Sequence, residues 1–325
     1  MLERLRRKAR KLVWLEFQSH DRSPRLNLEI SPEELQLELA KIPTPLFLGR
    51  YSKEEIRAKF ERHAILPALR KLGFDPLILE VLSDGLIEHR VMVHTGGRDY
   101  DKILLELRLR EGVFKVRDTI ARVKPSLIAM LRDETIPMLW IDWLLLQNPQ
   151  QKFAPGKPPL PEQKHPGLGL LNLVVPLLGE FARETMKHAV LDIPEHFHGA
   201  IFYSRWMRFF NPEMEGRMKA ILRDLAGYPL AAKSWAILMD CLFNAELGRF
   251  EDWKPGEQIY PLAPSLENYF NSPIYKELAE KAFLENHYRL DLAKMAQRLK
   301  SLEPEDRAAV ELLLKGGAEE KLDRN

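Results

Sequence analysis

The chain has 325 residues, 45% hydrophobic and 30% charged, with 49 basic against 47 acidic side chains and a net charge of +2. That length suits two domains or one elaborated domain with a large core, and the near-balance of charge argues against general nucleic-acid binding. The single cysteine, Cys241, excludes an internal disulfide and a CxxC-type zinc site, so a reducing, cytoplasmic setting is expected.

No stretch reaches the length of uninterrupted apolar residues that a membrane span needs. The opening M-L-E-R-L-R-R-K-A-R-K-L-V-W-L interleaves Leu2, Leu5, Leu12 and Leu15 with six Lys or Arg between Arg4 and Lys11. It lacks the apolar core and cleavage site of a secretory signal, and reads as a solvated amphipathic helix. Its second reading is a docking element for an acidic partner or an anionic membrane surface.

Ser31-Pro32-Glu33-Glu34 carries the grammar of a helix start, and Ser52-Lys53-Glu54-Glu55 repeats it. The second start predicts a helix over 53–72 that places Ile56, Phe60, Ile65, Leu66 and Leu69 on one side. Pro67 bends or divides it, and Gly73 ends it. Residues 76–94 read as two strands around the turn Ser83-Asp84-Gly85. In K-I-L-L-E-L-R-L-R, Leu105, Leu107 and Leu109 alternate with Glu106, Arg108 and Arg110, a half-buried strand that Glu111-Gly112 is expected to turn. A short helix over 125–132 precedes I-P-M-L-W-I-D-W-L-L-L, a candidate buried central strand.

Five of the fourteen residues from Phe153 to Pro166 are proline, which predicts a loop. Residues 167–187 read as mainly helix, A-V-L-D-I as a strand, and 213–225 as a further helix. Residues 252–264 read as irregular, 274–290 and 292–302 as helices, and the tail from 316 as polar. The expected class is therefore α/β (α+β), a mixed sheet flanked by helices. Its parts are a basic helical extension over 1–43, a core over 44–225, a mainly helical extension over 226–315 and a tail over 316–325.

A helix N-terminus attracts phosphate through its free N–H groups, and glycines let the backbone approach a pyrophosphate closely. Lys164-His165-Pro166-Gly167-Leu168-Gly169 has those parts, after a candidate buried strand and before a candidate helix. Strand, basic-x-x-Gly-x-Gly, helix, strand, and then a segment with a small residue and a tyrosine resembles the acetyl-CoA-binding half of GNAT-type N-acetyltransferases. The resemblance is concentrated over 137–210. With Tyr203 at the family's tyrosine, His196 falls at the family's Asn and Gly199 at its Ala, while Met207 and Arg208 stand where Gly-Phe is usual. Pro166 and Pro176, and the long stretch between Asn148 and Gln163, depart from the pattern.

The resemblance implies a GNAT-like, mostly antiparallel sheet and an acetyl-CoA or other acyl-CoA co-substrate. The strand at Leu144, Leu145 and Leu146 would meet the pantetheine arm through its backbone. Lys164 and the amides of Gly167, Leu168, Gly169 and Leu170 would hold the pyrophosphate. An amine-bearing small molecule or peptide would attack the thioester directly, and Tyr203 would protonate the departing thiolate. Asp142 and His196 are the candidate bases. Two alternatives stand beside this reading: a scaffold or binding module of the same fold without catalysis, and a metal-dependent hydrolase built on His196-x-His198. No metal is expected for the acyltransferase.

Other clusters have plainer readings. Burial between Trp140 and Trp143 would raise the Asp142 pKa and suit a base; pairing with an arginine at a strand edge is the equal alternative. F-Y-S-R-W-M-R-F-F reads as core packing with two surface arginines, and Cys241 as a small buried residue.

Overall fold

The computed structural model describes residues 46–83, 88–116, 127, 130–131, 135–154, 157–302, 304, 307 and 310–311. The basic opening stretch, the helix start at Ser31, the turn at Asp84-Gly85, most of the expected helix over 125–132 and the polar tail lie outside them.

Helix α1 (Lys53–Arg62) begins as its sequence predicts. The Glu55 amide donates to Ser52 Oγ at 3.2 Å and the Ser52 amide to Glu55 Oε2 at 2.7 Å, a reciprocal cap. The break before α2 (Ile65–Lys71) falls at Ala64, in the left-handed region at φ 58°, rather than at Pro67. Pro67 sits in the first turn of α2, where an amide would have no helical partner in any case. Together the two helices bury Ile56, Phe60, Ile65, Leu66 and Leu69.

Strands β1 (Ile78–Ser83), β2 (Glu88–His94), β3 (Ile103–Lys115) and β4 (Thr135–Leu146) pair antiparallel in chain order. Strand β3 runs straight through Glu111-Gly112, against the expected turn. The Trp140 side chain crosses Gly112, where an added Cβ would stand 2.7 Å from its Nε1, so this glycine serves close packing. Helix α3 (Leu171–Glu184) then leads to β5 (Ala189–Asp192), which lies parallel to β4. Pro176 leaves α3 unbroken; it lies on an exposed face, where water can bond the carbonyl it leaves unpaired.

After β5 come α4 (Phe197–Tyr203), β6 (Arg208–Phe209), α5 (Pro212–Asp224), α6 (Leu230–Leu238), β7 (Leu242–Asn244), β8 (Arg249–Phe250) and β9 (Gln258–Pro261). They are followed by α7 (Pro264–Asn271), α8 (Pro273–Glu285), β10 (Tyr288–Leu290) and α9 (Leu292–Arg298). The large sheet has the order β1-β2-β3-β4-β5-β9-β6, and β10-β7-β8 form a small second sheet. Among the described residues every strand pair is antiparallel except β4 with β5, so the chain builds a mixed, mostly antiparallel sheet flanked by helices.

Alternate residues feed the two faces of the sheet. Leu139, Ile141 and Val190 join the cluster that holds α1, α2 and α3, while Met138, Ala189 and Leu191 join the one that holds α7 and α8. Two boundaries of the sequence reading change here. The segment expected to be irregular over 252–264 supplies β9, bonded on one edge to β5 and on the other to β6. Strand β9 lies beyond residue 225, so the large sheet reaches past the core expected over 44–225. The stretch expected to be helix through 290 ends at Glu285, and Tyr288–Leu290 pair with β7.

Candidate functional site

The sheet parts where β4 meets β5. Their ladder has three rungs, Met138 with Ala189, Leu139 with Val190 and Trp140 with Leu191. Beyond it β4 continues to Leu146, still paired with β3 on its other side through Leu105↔Leu146. Among the described residues, the edge of β4 from Ile141 to Leu146, including Leu144, Leu145 and Leu146, therefore has no strand partner. Peptide groups on such an edge are ready to pair with an extended chain.

The far end of this slot is closed by the proline-rich loop. The Asn148 amide donates to the Pro166 carbonyl at 2.7 Å, and Gln147 forms an isolated antiparallel bridge with Gly167. Gln147 is itself buried, its side-chain amide donating to the carbonyls of Tyr100 at 2.7 Å and Ile103 at 2.9 Å. The loop then runs into α3 with its leucines inward and its glycines outward. Leu168 and Leu170 belong to the main core cluster, whereas Gly167 and Gly169 are exposed. Gly169 adopts φ +71° and faces open space, and a Cβ on Gly167 would meet only the Leu146 carbonyl, at 3.7 Å. Among the described residues, the amides of Gly169, Leu170, Leu171 and Asn172 have no internal acceptor. Gly167 stands opposite Gln147 in that bridge, whose hydrogen bond joins the neighbouring Asn148 amide and Pro166 carbonyl.

One cation reaches this helix start, and a second lies upstream in the loop. Arg205, which the sequence reading assigns to the surface, donates to Asn172 Oδ1 at 3.4 Å in the first turn of α3. Lys164 lies over the Tyr100 ring at 5.2 Å, next to His165, which pairs with Asp101 at 2.8 Å.

Asp142 occupies a β-bulge. Arg108 pairs with Trp143 and Leu109 with Ile141, which leaves Asp142 as the extra residue of β4. Its carboxylate accepts from Arg110 Nε and Nη2, both at 3.2 Å, and the Arg110 guanidinium stacks on Trp140 at 4.6 Å. Of its two sequence readings, pairing with an arginine is the one found; burial between tryptophan rings is not, since Trp143 is exposed.

Asp192, the last residue of β5, is the group that the sequence reading left out as a base. It is buried, 9% exposed, where β5 leaves β4. Burial, opposed by a hydrogen bond from the Ile193 amide and reinforced by the charges of Asp142 and Glu195, pushes its carboxyl up to about 7. Tyr203, the last residue of α4, is 8% exposed, and burial followed by the Asp192 charge holds its phenol well above the usual range. Its hydroxyl has no hydrogen-bond partner among the described residues.

His196 and His198 lie side by side. Their rings stack at 5.2 Å and 10°, so their in-plane lone pairs run side by side instead of meeting at a point. His196 Nε2 lies 3.4 Å from a Glu162 carboxylate oxygen. Burial, then the neighbouring His196, lowers His198 to about 4. Among the described residues no group of three or more His, Cys, Asp or Glu side chains could hold a metal ion. A cavity of about 480 Å³ is lined by residues that include Arg217, Asp252 and Trp253.

No helix among the described residues is long and apolar enough to cross a membrane. Compared with protein-family models, curated proteins and solved structures, the chain matches none.

Proposed function

We propose that the chain is a GNAT-like acyl-CoA-dependent N-acyltransferase that passes an acyl group from the thioester to an amine. The observation that carries this reading is the unpartnered edge of β4 from Ile141 to Leu146, bracketed by β5 at one end and by the Gly167–Gly169 loop at the other. An extended arm with amides of its own, such as pantetheine, fits that edge as an added strand would.

At the closed end, the free amides from Gly169 to Asn172, with Arg205 bonded to Asn172, offer donors and charge for a diphosphate, and Lys164 lies upstream in the same loop. The open space over Gly169 lets the main chain approach it. At the parted end, Tyr203 keeps its proton and has no other partner for it, the state a donor to a departing thiolate requires. Asp142 is held by Arg110 and serves better to orient the slot than to accept a proton. His196, stacked on His198 and facing Glu162, belongs to a separate group. The acyl group supplies the electrophilic carbon, and the chain's part is to align it with the amine and exclude water.

Thermal melting with and without acetyl-CoA tests this. A ligand at a hundred times its dissociation constant stabilises a fold by about 2.7 kcal/mol, a shift well within measurement. If neither acetyl-CoA nor longer acyl-CoAs move the melt, the reading is wrong, and the fold serves a non-catalytic role.

A further inference from the structure

We infer that Asp192 is the proton acceptor of the transfer, and that the amine it serves is a primary alkylammonium. The inference rests on the acyltransferase reading and adds to it a base and a substrate class. Asp192 is the first residue of β5 past the last rung with β4, so its backbone faces the parted sheet on one side while Gln258 of β9 covers the other. The groups that face it are Asp142 of β4, Glu195 of the turn into α4, Tyr203 of α4 and Gln258. Arg110 is committed to Asp142, and the Gln258 amide donates to the Ala200 carbonyl at 3.1 Å. The charges acting on Asp192 are thus negative, an arrangement that recruits a cation. Beside it the Tyr203 hydroxyl, on a side chain only 8% exposed, has no protein partner among the described residues and is left for a ligand.

The step balances as follows. The ammonium gives one proton to the Asp192 carboxylate, directly or through a water, and its freed lone pair forms the C–N bond at the thioester carbonyl carbon. The C–S bond breaks, and the thiolate takes the Tyr203 proton. The acylated nitrogen, now acidic, gives up its second proton to the Tyr203 phenolate through solvent. Asp192 then releases its proton to water. The products are an amide, free CoA thiol and one proton.

The test follows CoA thiol release from acetyl-CoA with ethanolamine, putrescine and glycinamide as probes, in the wild type and in Asp192→Asn, from pH 5 to 9. For the wild type, the rate should rise tenfold per pH unit up to a break near 7, the value to which burial raises this carboxyl. Asp192→Asn should lose on the order of a hundredfold or more, lose the break, and keep the acetyl-CoA melting shift. Infrared spectra of the wild type alone should show a buried neutral carboxyl band that vanishes with the same midpoint, a readout that does not require the variant to fold. If Asp192→Asn keeps both rate and break, Asp192 is not the base, while the acyltransferase reading survives. If acetyl-CoA shifts the melt but no probe amine releases thiol, the alkylammonium assignment is overturned. If acetyl-CoA neither binds nor reacts, both fall together.

Discussion

The amide of Asn148 and the carbonyl of Pro166 lie 2.7 Å apart, and through that bond the end of the central strand holds the start of the glycine loop. The prolines between them stiffen the excursion, so the loop returns to β4 with little freedom left to lose on binding. A preorganised loop of this kind stabilises a bound anion by sparing the ordering cost. Gly169→Val tests it, because a β-branched residue at φ +71° is strained by about 1–2 kcal/mol. We expect a modestly lower melting temperature and loss of the acetyl-CoA shift. A variant that still binds acetyl-CoA as well as the wild type would remove the loop from the site.

Tyr203→Phe removes one unpartnered hydroxyl and leaves the ring in the core cluster with Leu168 and Leu170. Stability should stay within about 0.5 kcal/mol, since no protein hydrogen bond is lost. Turnover should fall on the order of a hundredfold. Steady-state kinetics and a melt on the same preparation separate the two effects, and unchanged turnover would take Tyr203 out of the mechanism.

Asp192 also has a stability signature. Its carboxyl rises from 3.8 to about 7 on folding, so the folded state binds the extra proton between those values and stability falls as pH climbs through that window. At 1.36 kcal/mol per unit, the upper bound is about 4 kcal/mol. Asp192→Asn should therefore melt higher than the wild type at pH 8 and about equally at pH 3, below that window. Equal melting at both would show that the carboxyl is not held in this way.

Glu180 has the opposite sign. Burial would raise it, but hydrogen bonds from Lys59 and from His63, the latter at 2.7 Å, outweigh that and pull it down to about 2. Lys59 also bonds Glu184 at 2.8 Å, so these groups fasten α1 to α3. The stability they supply is present above the unfolded carboxyl value of 4.5 and disappears as pH falls toward 2. Glu180→Gln should lower stability by about 2 kcal/mol at pH 7, and the loss should shrink on acidification. Denaturant titrations at pH 7 and pH 3 read this directly.

Gly216 of α5 lies against α8 so tightly that an added Cβ would stand 2.2 Å from the Ala279 carbonyl oxygen. Backbone cannot yield as a side chain does, and overpacking of this kind costs about 1–3 kcal/mol or more. Gly216→Ala should lower the denaturation midpoint without touching acetyl-CoA binding. A neutral result would mean that the two helices separate at little cost.

What the sequence showed plainly was local. The Ser52–Glu55 cap, the alternation of Leu105, Leu107 and Leu109, and the apolar run of β4 each declare their structure within a few residues. Strand β9 did not, because E-Q-I-Y-P-L-A-P is short and proline-bearing, and only pairing on both edges makes it a strand. Gly112 reads as a turn until Trp140, distant in the chain, is laid across it. Asp192 shows the same limit at the site. Its strand was legible, but its burial comes from neighbours that no local pattern names. Arg205 was visible as a cation, and its place at the α3 start depends on how α4 ends.

The late arrival of β9 bears on how this protein is made. While the ribosome has yet to deliver residues 258–261, β5 is a bare edge with unsatisfied main-chain groups, and Asp192 has water on the side that Gln258 will cover. The pocket and its unusual carboxyl therefore come into being together, once β9 has been added. A nascent chain stalled short of that point would carry the loop and the tyrosine but an ordinary aspartate.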